Sequence, residues 1–164
     1  MAAGATYEPI ATTTLGSGAN TVTFSSISQS YTDLVCVISN LKVTSDTDSV
    51  GYYFNGSTAS NYSWIYVDRG PGSAAGSSQS GTSNYLSWAS TSSTNPGIII
   101  SNIMNYSNTT TFKTSISRNG LRTTEAFINL WSSTAAISSI TFFCQGASNY
   151  LTGTIFTIYG IAAA

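Results

Sequence analysis

No histidine occurs in the 164 residues, and charge of either sign is scarce: five Lys or Arg and six Asp or Glu make up 7% of the chain. Without histidine there is no Ser-His-Asp triad, no usual general base and no commonest transition-metal ligand. Ordinary soluble domains carry about 25% charged residues, so a chain with this few presents a polar surface built from Ser, Thr, Asn and Gly. The five basic residues (Lys42, Arg69, Lys113, Arg118, Arg122) are scattered and the net charge is −1. That leaves no stripe able to neutralise several phosphates, and nucleic-acid binding is not expected. Long hydrophobic runs are lacking too: none approaches the roughly 20 residues of a membrane span. The opening "MAAGATYEPIATTTLGS" has neither a basic n-region nor an apolar h-region, so no secretory signal is expected and the product should be made in a cytoplasm and stay soluble. Cys36 and Cys144 each sit in an apolar run. They are expected to be free thiols packing as small hydrophobes; a disulfide is the alternative and requires their strands to be neighbours.

The acids offer little catalytic chemistry. Glu8, Asp33, Asp46, Asp48, Asp68 and Glu125 are dispersed along the chain, whereas a glycosidase needs two carboxyl groups within roughly 5–10 Å across a sugar cleft. Only "SDTDS" at 45–49 brings two acids together. It lacks the Gly, the third oxygen ligand and the terminal Glu of an EF-hand loop, and reads as a solvated turn. No catalytic residue, cofactor site or metal site is assigned. Four N-x-S/T sequons start at Asn55, Asn61, Asn105 and Asn108; roughly four are expected by chance in a chain this rich in Asn, Ser and Thr, and without a secretory signal none is a glycan site.

What the chain has in quantity is short runs of Val, Ile, Thr, Tyr, Phe and Trp with turn formers between them. Strands are expected at Thr21–Phe24, Asp33–Val43, Ser49–Phe54, Asn61–Asp68, Tyr85–Trp88, Gly97–Met104, Thr111–Ser117, Ala126–Trp131, Ile137–Cys144 and Thr154–Ile161. "NGS" at 55–57, "RNG" at 118–120 and "QGAS" at 145–148 read as turns. No segment carries a sustained helical stripe, no heptad is present and no repeat recurs. The expected fold is all-β: one antiparallel β-sandwich of jelly-roll type, with an immunoglobulin-like sandwich as the competitor. Residues 1–20 read as an extended arm or a first edge strand, and 21–164 as the sandwich domain. "RGPGSAAGSSQSGTSN" at 69–84 has nothing large to bury and is expected to be a long surface loop.

Alternation along these strands puts apolar or aromatic residues on both faces. Tyr52 and Phe54 oppose Tyr53; Tyr62, Trp64 and Tyr66 oppose Ile65 and Val67; Ile140, Phe142 and Cys144 oppose Phe143; Phe156 and Ile158 oppose Ile155 and Tyr159. A two-layer sandwich buries one face of each sheet. The second face should therefore be covered by another subunit, a partner protein or a stacked carbohydrate.

Four stretches, "YEPIATTTLGSGANTVTFSSISQSYTDLVCVIS", "FNGSTASNYS", "IMNYSNTTTFKTSISRNG" and "SSITFFCQGASNYLTGTIFTIYGI", resemble a group of small virion proteins of tailed bacteriophages. The resemblance runs along nearly the whole chain and consists of strand and turn phrases without a catalytic signature; the Gly/Ser stretch at 69–84 and the closing "AAA" depart from it. It implies a non-enzymatic virion component located in the particle. That component would be a capsid decoration (cement) protein bound to the major capsid protein or other virion subunits, or a tail fibre or spike module contacting host surface glycans. It also implies a homo-oligomer, threefold in that group.

Overall fold

The computed structural model describes residues 6–70, 73–83, 86–120 and 124–162, and these form two antiparallel sheets and no helix. The wide sheet has eight strands in the order β1 (Tyr7–Thr14), β12 (Ile155–Ile161), β3 (Asp33–Leu41), β8 (Gly97–Met104), β9 (Lys113–Gly120), β10 (Thr124–Trp131), β5 (Tyr62–Gly70) and β6 (Ser73–Ser83). The narrow sheet has four: β2 (Thr21–Phe24), β11 (Ile140–Cys144), β4 (Ser49–Phe54) and β7 (Leu86–Ser90). The fold is thus the expected all-β antiparallel sandwich. Successive strands alternate between wide and narrow sheet from β1 to β4 and again through β7, β8, β11 and β12, while β5–β6 and β9–β10 are inserted pairs that extend the wide sheet past β8.

The core follows from period-2 alternation. Leu34, Cys36, Ile38, Ile99, Ile103, Phe156 and Ile158 point from the wide sheet onto Val22, Phe24, Val50, Tyr52, Phe54, Ile140, Phe142 and Cys144 of the narrow one. Phe142 sits at the centre, its ring 6.1 Å from Phe24, 6.1 Å from Tyr52 and 5.7 Å from Phe156. Each such side chain contributes about 1.5–3 kcal/mol on burial. Both cysteines are free and buried within this layer. Burial pushes the Cys36 thiol far up from its ordinary pKa and the Cys144 thiol up to about 12.

The stretch at 69–84 is not a surface loop. Its first two residues complete β5, and Ser73–Ser83 form β6, an edge strand paired along β5 from Gly70↔Ser73 to Tyr62↔Ser83. An edge strand gains its backbone hydrogen bonds without burying side chains, so the small residues that argue against a strand are tolerated there. At Gly76 the carbonyl of Tyr66 lies 3.1 Å from where a Cβ would stand, a close approach that a side chain would crowd. "RNG" is corrected as well: Arg118–Gly120 are the last residues of β9, with Arg118 opposite Ala126 and Ile100. Ile137–Ser139 precede rather than begin β11, because the Asn55 carboxamide oxygen accepts the Ser138 and Ser139 N–H groups at 2.8 and 3.1 Å. Residues 1–5, Tyr85 and Arg122 lie outside the described residues. Tyr7–Thr14 of the N-terminal segment lie on their own sheet, along β12.

Candidate interaction surface on the wide sheet

The inner surface of β9 is polar, and on β10 buried polar residues alternate with Phe127 and Trp131. From the wide sheet the two strands present Lys113, Ser115, Ser117, Asn119, Glu125 and Asn129, all buried. The Tyr52 hydroxyl lies 2.6 Å from Ser115 Oγ and 3.3 Å from Ser101 Oγ; Ser117 donates to Ser101 at 2.8 Å, and Asn129 Nδ2 reaches Ser115 at 3.2 Å. Asn119 donates to the Glu125 carboxylate at 2.7 Å, and register sets Asp68 opposite Glu125. Lys113 Nζ donates to the Thr111 and Thr134 carbonyls at 2.7 and 3.2 Å, and desolvation holds its pKa below the ordinary lysine value. Sequence reading missed this layer. Its signal was the i, i+2 series of Ser and Asn in "KTSISRN", which alternation places on one face.

The other acids are engaged in loop contacts. Asp48 accepts from the Ser148 hydroxyl, Asp46 accepts from the Ser93 N–H at 2.5 Å, Glu8 accepts from the Tyr31 hydroxyl at 2.9 Å, and Asp33 Oδ1 accepts from the Asn105 N–H at 2.7 Å. The two acids of "SDTDS" therefore fasten separate loops. Among the described residues no three His, Cys, Asp or Glu side chains gather as metal ligands.

The outer surface of the wide sheet is different. Ile116, Ile128 and Ile65 stand in one cross-strand row over β9, β10 and β5, with Ile128 opposite both neighbours. They are 47%, 58% and 52% exposed, and Val67 beside them is 63% exposed. Ile98, Ile100, Met104, Val37, Tyr159 and Ile161 continue this surface toward β12. Monomeric proteins rarely leave such contiguous apolar area wet. The face is not featureless: a groove of about 390 Å³ runs over β12, β3, β8 and β9, lined by Tyr7, Asp33, Val35, Asn102, Met104, Ile116, Arg118 and Ile161. Among the described side chains of this face, Asp33 and Arg118 are the charged ones. Tyr7, 57% exposed, stands at the rim with its ring edge-on to Tyr159 at 6.4 Å.

The sequence-level expectation of two-faced strands is met on this sheet: Ile65 and Val67 face outward while Tyr62 is fully buried, and Tyr159 and Ile155 lie opposite buried Phe156 and Ile158. Among the described side chains of the narrow sheet a smaller patch forms, where the rings of Tyr53 and Phe143 lie 5.8 Å apart. Comparisons with protein-family models, with curated proteins and with solved structures found no match to the chain.

Proposed function

We propose that the chain is a non-enzymatic structural subunit of a bacteriophage virion, made in the host cytoplasm and working as a capsid decoration protein that stabilises the shell by subunit contacts. The single observation that carries this reading is the outer face of the wide sheet: broad, apolar and almost free of charge, it is suited to burial against protein. The resemblance of four long stretches to small virion proteins supplies the setting, and the alternation of strands between sheets supports the jelly-roll reading. Glu125 is sealed beneath the sheet, and Glu8, Asp33, Asp46 and Asp48 engage loop or tyrosine groups, which supports a role without chemistry or cofactor. The partners are further copies of the chain, threefold by the resemblance, and the major capsid protein or other virion subunits; neither nucleic acid nor membrane is among them. Contact area and hydroxyl hydrogen bonds carry such binding, over roughly 1,200–2,000 Å² for a specific interface.

A second reading, a tail fibre or spike module that contacts host glycans, is favoured by one observation: the groove has an exposed Tyr7 at one end and Asp33, Asn102 and Arg118 among the residues that line it. Copies per particle separate the two, hundreds meaning shell and a few dozen or fewer meaning tail. Purified shells incubated with the protein should retain it from about 0.05 to 1 M NaCl, because few ion pairs are there to be screened as the Debye length falls to roughly 3 Å. Release by salt in that range, or failure to bind shells at all, would overturn the decoration reading.

A further inference from the structure

Asp33, Asn102 and Arg118 lie on one diagonal of the outer face. Asn102 is opposite Val35 on one side and Ile116 on the other. Asp33 is two residues before Val35, and Arg118 two residues after Ile116. β3 and β9 run in the same direction, each being antiparallel to β8 between them. Asn102 is therefore the midpoint of a line with a carboxylate at one end and a guanidinium at the other. With strands about 4.8 Å apart and a rise of about 3.3 Å per residue, the two ends are roughly 16 Å apart, too far to pair within one chain. The exposed Arg118 makes no ion pair or hydrogen bond among the described residues, and neither does the half-buried side chain of Asn102; Asp33 has committed one oxygen, to Asn105.

Such a diagonal is self-complementary. A two-fold axis that lies along the face, perpendicular to this diagonal, and passes over Asn102 carries Asp33 of one copy onto Arg118 of the other, twice. It brings the two Asn102 amides together on the axis, where each can both donate and accept. We propose that the occupant of the outer face is a second copy of this chain, docked face to face about that axis. Eight strands of about seven residues span roughly 38 by 23 Å, near 900 Å², against the about 800 Å² per partner of a standard interface. A symmetric pair also satisfies the rule that an isologous contact uses one patch on both subunits. A saccharide in the groove would use the same polar groups but leave Ile65, Val67 and Ile128 in water, which is why a second copy is favoured. The inference rests on the reading of the chain as an assembly subunit and deepens it. If the threefold symmetry of the resemblance also holds, the pairs combine in threes, and the mass stays an even multiple of 17.2 kDa.

The test uses the full chain. Sedimentation equilibrium at micromolar concentration should give an even multiple of the chain mass. Asn102→Cys, at an outward strand position, should be cross-linked to its partner copy by a short bis-maleimide that spans the about 10 Å between packed sheets, whereas the wild type should not, since Cys36 and Cys144 are buried. Arg118→Glu should weaken the pair roughly a hundredfold or more, because like charges then oppose each other twice in a desolvated contact. Asp33→Lys should do the same, and the double exchange Asp33→Lys with Arg118→Glu should restore association to within about tenfold of wild type. Since Asp33 also fastens Asn105, its single variant could unfold; the Arg118 and Asn102 variants, checked by circular dichroism, keep the test decisive. A monomer, an odd multiple, an Arg118→Glu mass equal to wild type, or an Asn102→Cys chain that does not cross-link would each overturn the pairing. A monomer that binds a glycan array through Arg118 would overturn it in favour of a ligand groove. Particle binding separates the two readings: a wild-type chain that is monomeric and still decorates shells defeats the pairing and leaves the assembly reading standing, and a wild-type dimer that binds no particle does the reverse.

Discussion

Replacing Gly160 by alanine should unseat Tyr31. A Cβ at Gly160 would stand 2.4 Å from Tyr31 Cγ and 2.5 Å from both Cδ atoms, far inside van der Waals contact with the rigid base of a ring rather than the tip of a flexible chain. Gly160 lies on β12 between Glu8 and Leu34, so its neighbours across both ladders are fixed by backbone pairing and cannot retreat. The ring must leave, and with it goes the 2.9 Å hydrogen bond from the Tyr31 hydroxyl to Glu8, a bond that raises the Tyr31 pKa. Overpacking of this kind costs about 1–3 kcal/mol. The exposed hydrogen bond adds little, so about 2 kcal/mol is expected, or a fall in Tm of roughly 4–8 °C for a chain of this size. Urea denaturation should show a lower midpoint with an unchanged m-value. The diagnostic is the double variant: with Tyr31→Ala in place the clash is gone, so adding Gly160→Ala should cost nothing further and should slightly stabilise through better strand propensity. A Gly160→Ala protein within 0.5 kcal/mol of wild type, or costs that simply add in the double variant, would refute this account of the glycine.

Tyr52→Phe should cost about 1–3 kcal/mol, because it strips a partner from Ser115, Ser101 and Asn129 in a buried layer; thermal denaturation reads it. Asn55→Ala should cost about 2 kcal/mol, since it frees the Ser138 and Ser139 N–H groups and places alanine at φ 53°; chemical denaturation checks it, and Asn55→Gly should recover the backbone part only. Alkaline pH should unfold the protein. The buried thiols are raised from 9.0, Cys144 to about 12, so the unfolded chain releases their protons first. Stability is full below about pH 9 and falls by about 1.4 kcal/mol per pH unit per thiol up to the folded value. Denaturation curves at pH 8, 9, 10 and 11 should show this slope, and Cys36→Ala with Cys144→Ala should remove it between pH 9 and 10, below the range in which Tyr52, Tyr62 and Tyr150, held up from 10.0 by burial, add a loss of their own. In the same pH range the native thiols should resist iodoacetamide until denaturant is added.

Strand positions were legible because period-2 alternation leaves a plain mark wherever one face is buried: "TVTF", "FINLW" and "IFTIYGI" give their buried residues directly. One strand was misread as a loop and another left open between arm and edge strand, for one physical reason. β1 and β6 are sheet edges, held by backbone hydrogen bonds that any residue can make, so "SAAGSSQSGTS" carries no apolar record of its pairing. Order in the sheet was equally hidden, since the register of Asp33, Asn102 and Arg118 arises from three strands that the sequence separates by 69 and 16 residues. The apolar character of the outer face was visible in Ile65, Val67 and Tyr159; that Ile116 and Ile128 join Ile65 in one row was not.

The pairing of β1 with β12 sets a timetable for the growing chain. Thr12 meets Thr157 across 145 residues, and β3, whose Val35 floors the groove, also waits for β12 on one side. A ribosome adding roughly 5–20 residues each second therefore holds the first strand unpartnered for many seconds after it emerges. A chain stopped short of β12 lacks the strand that joins β1 to β3, and with it Tyr159 and Ile161 of the outer face. Any assembly built on that face is then closed to a chain that lacks β12, since the face is complete only once that strand has paired on both sides.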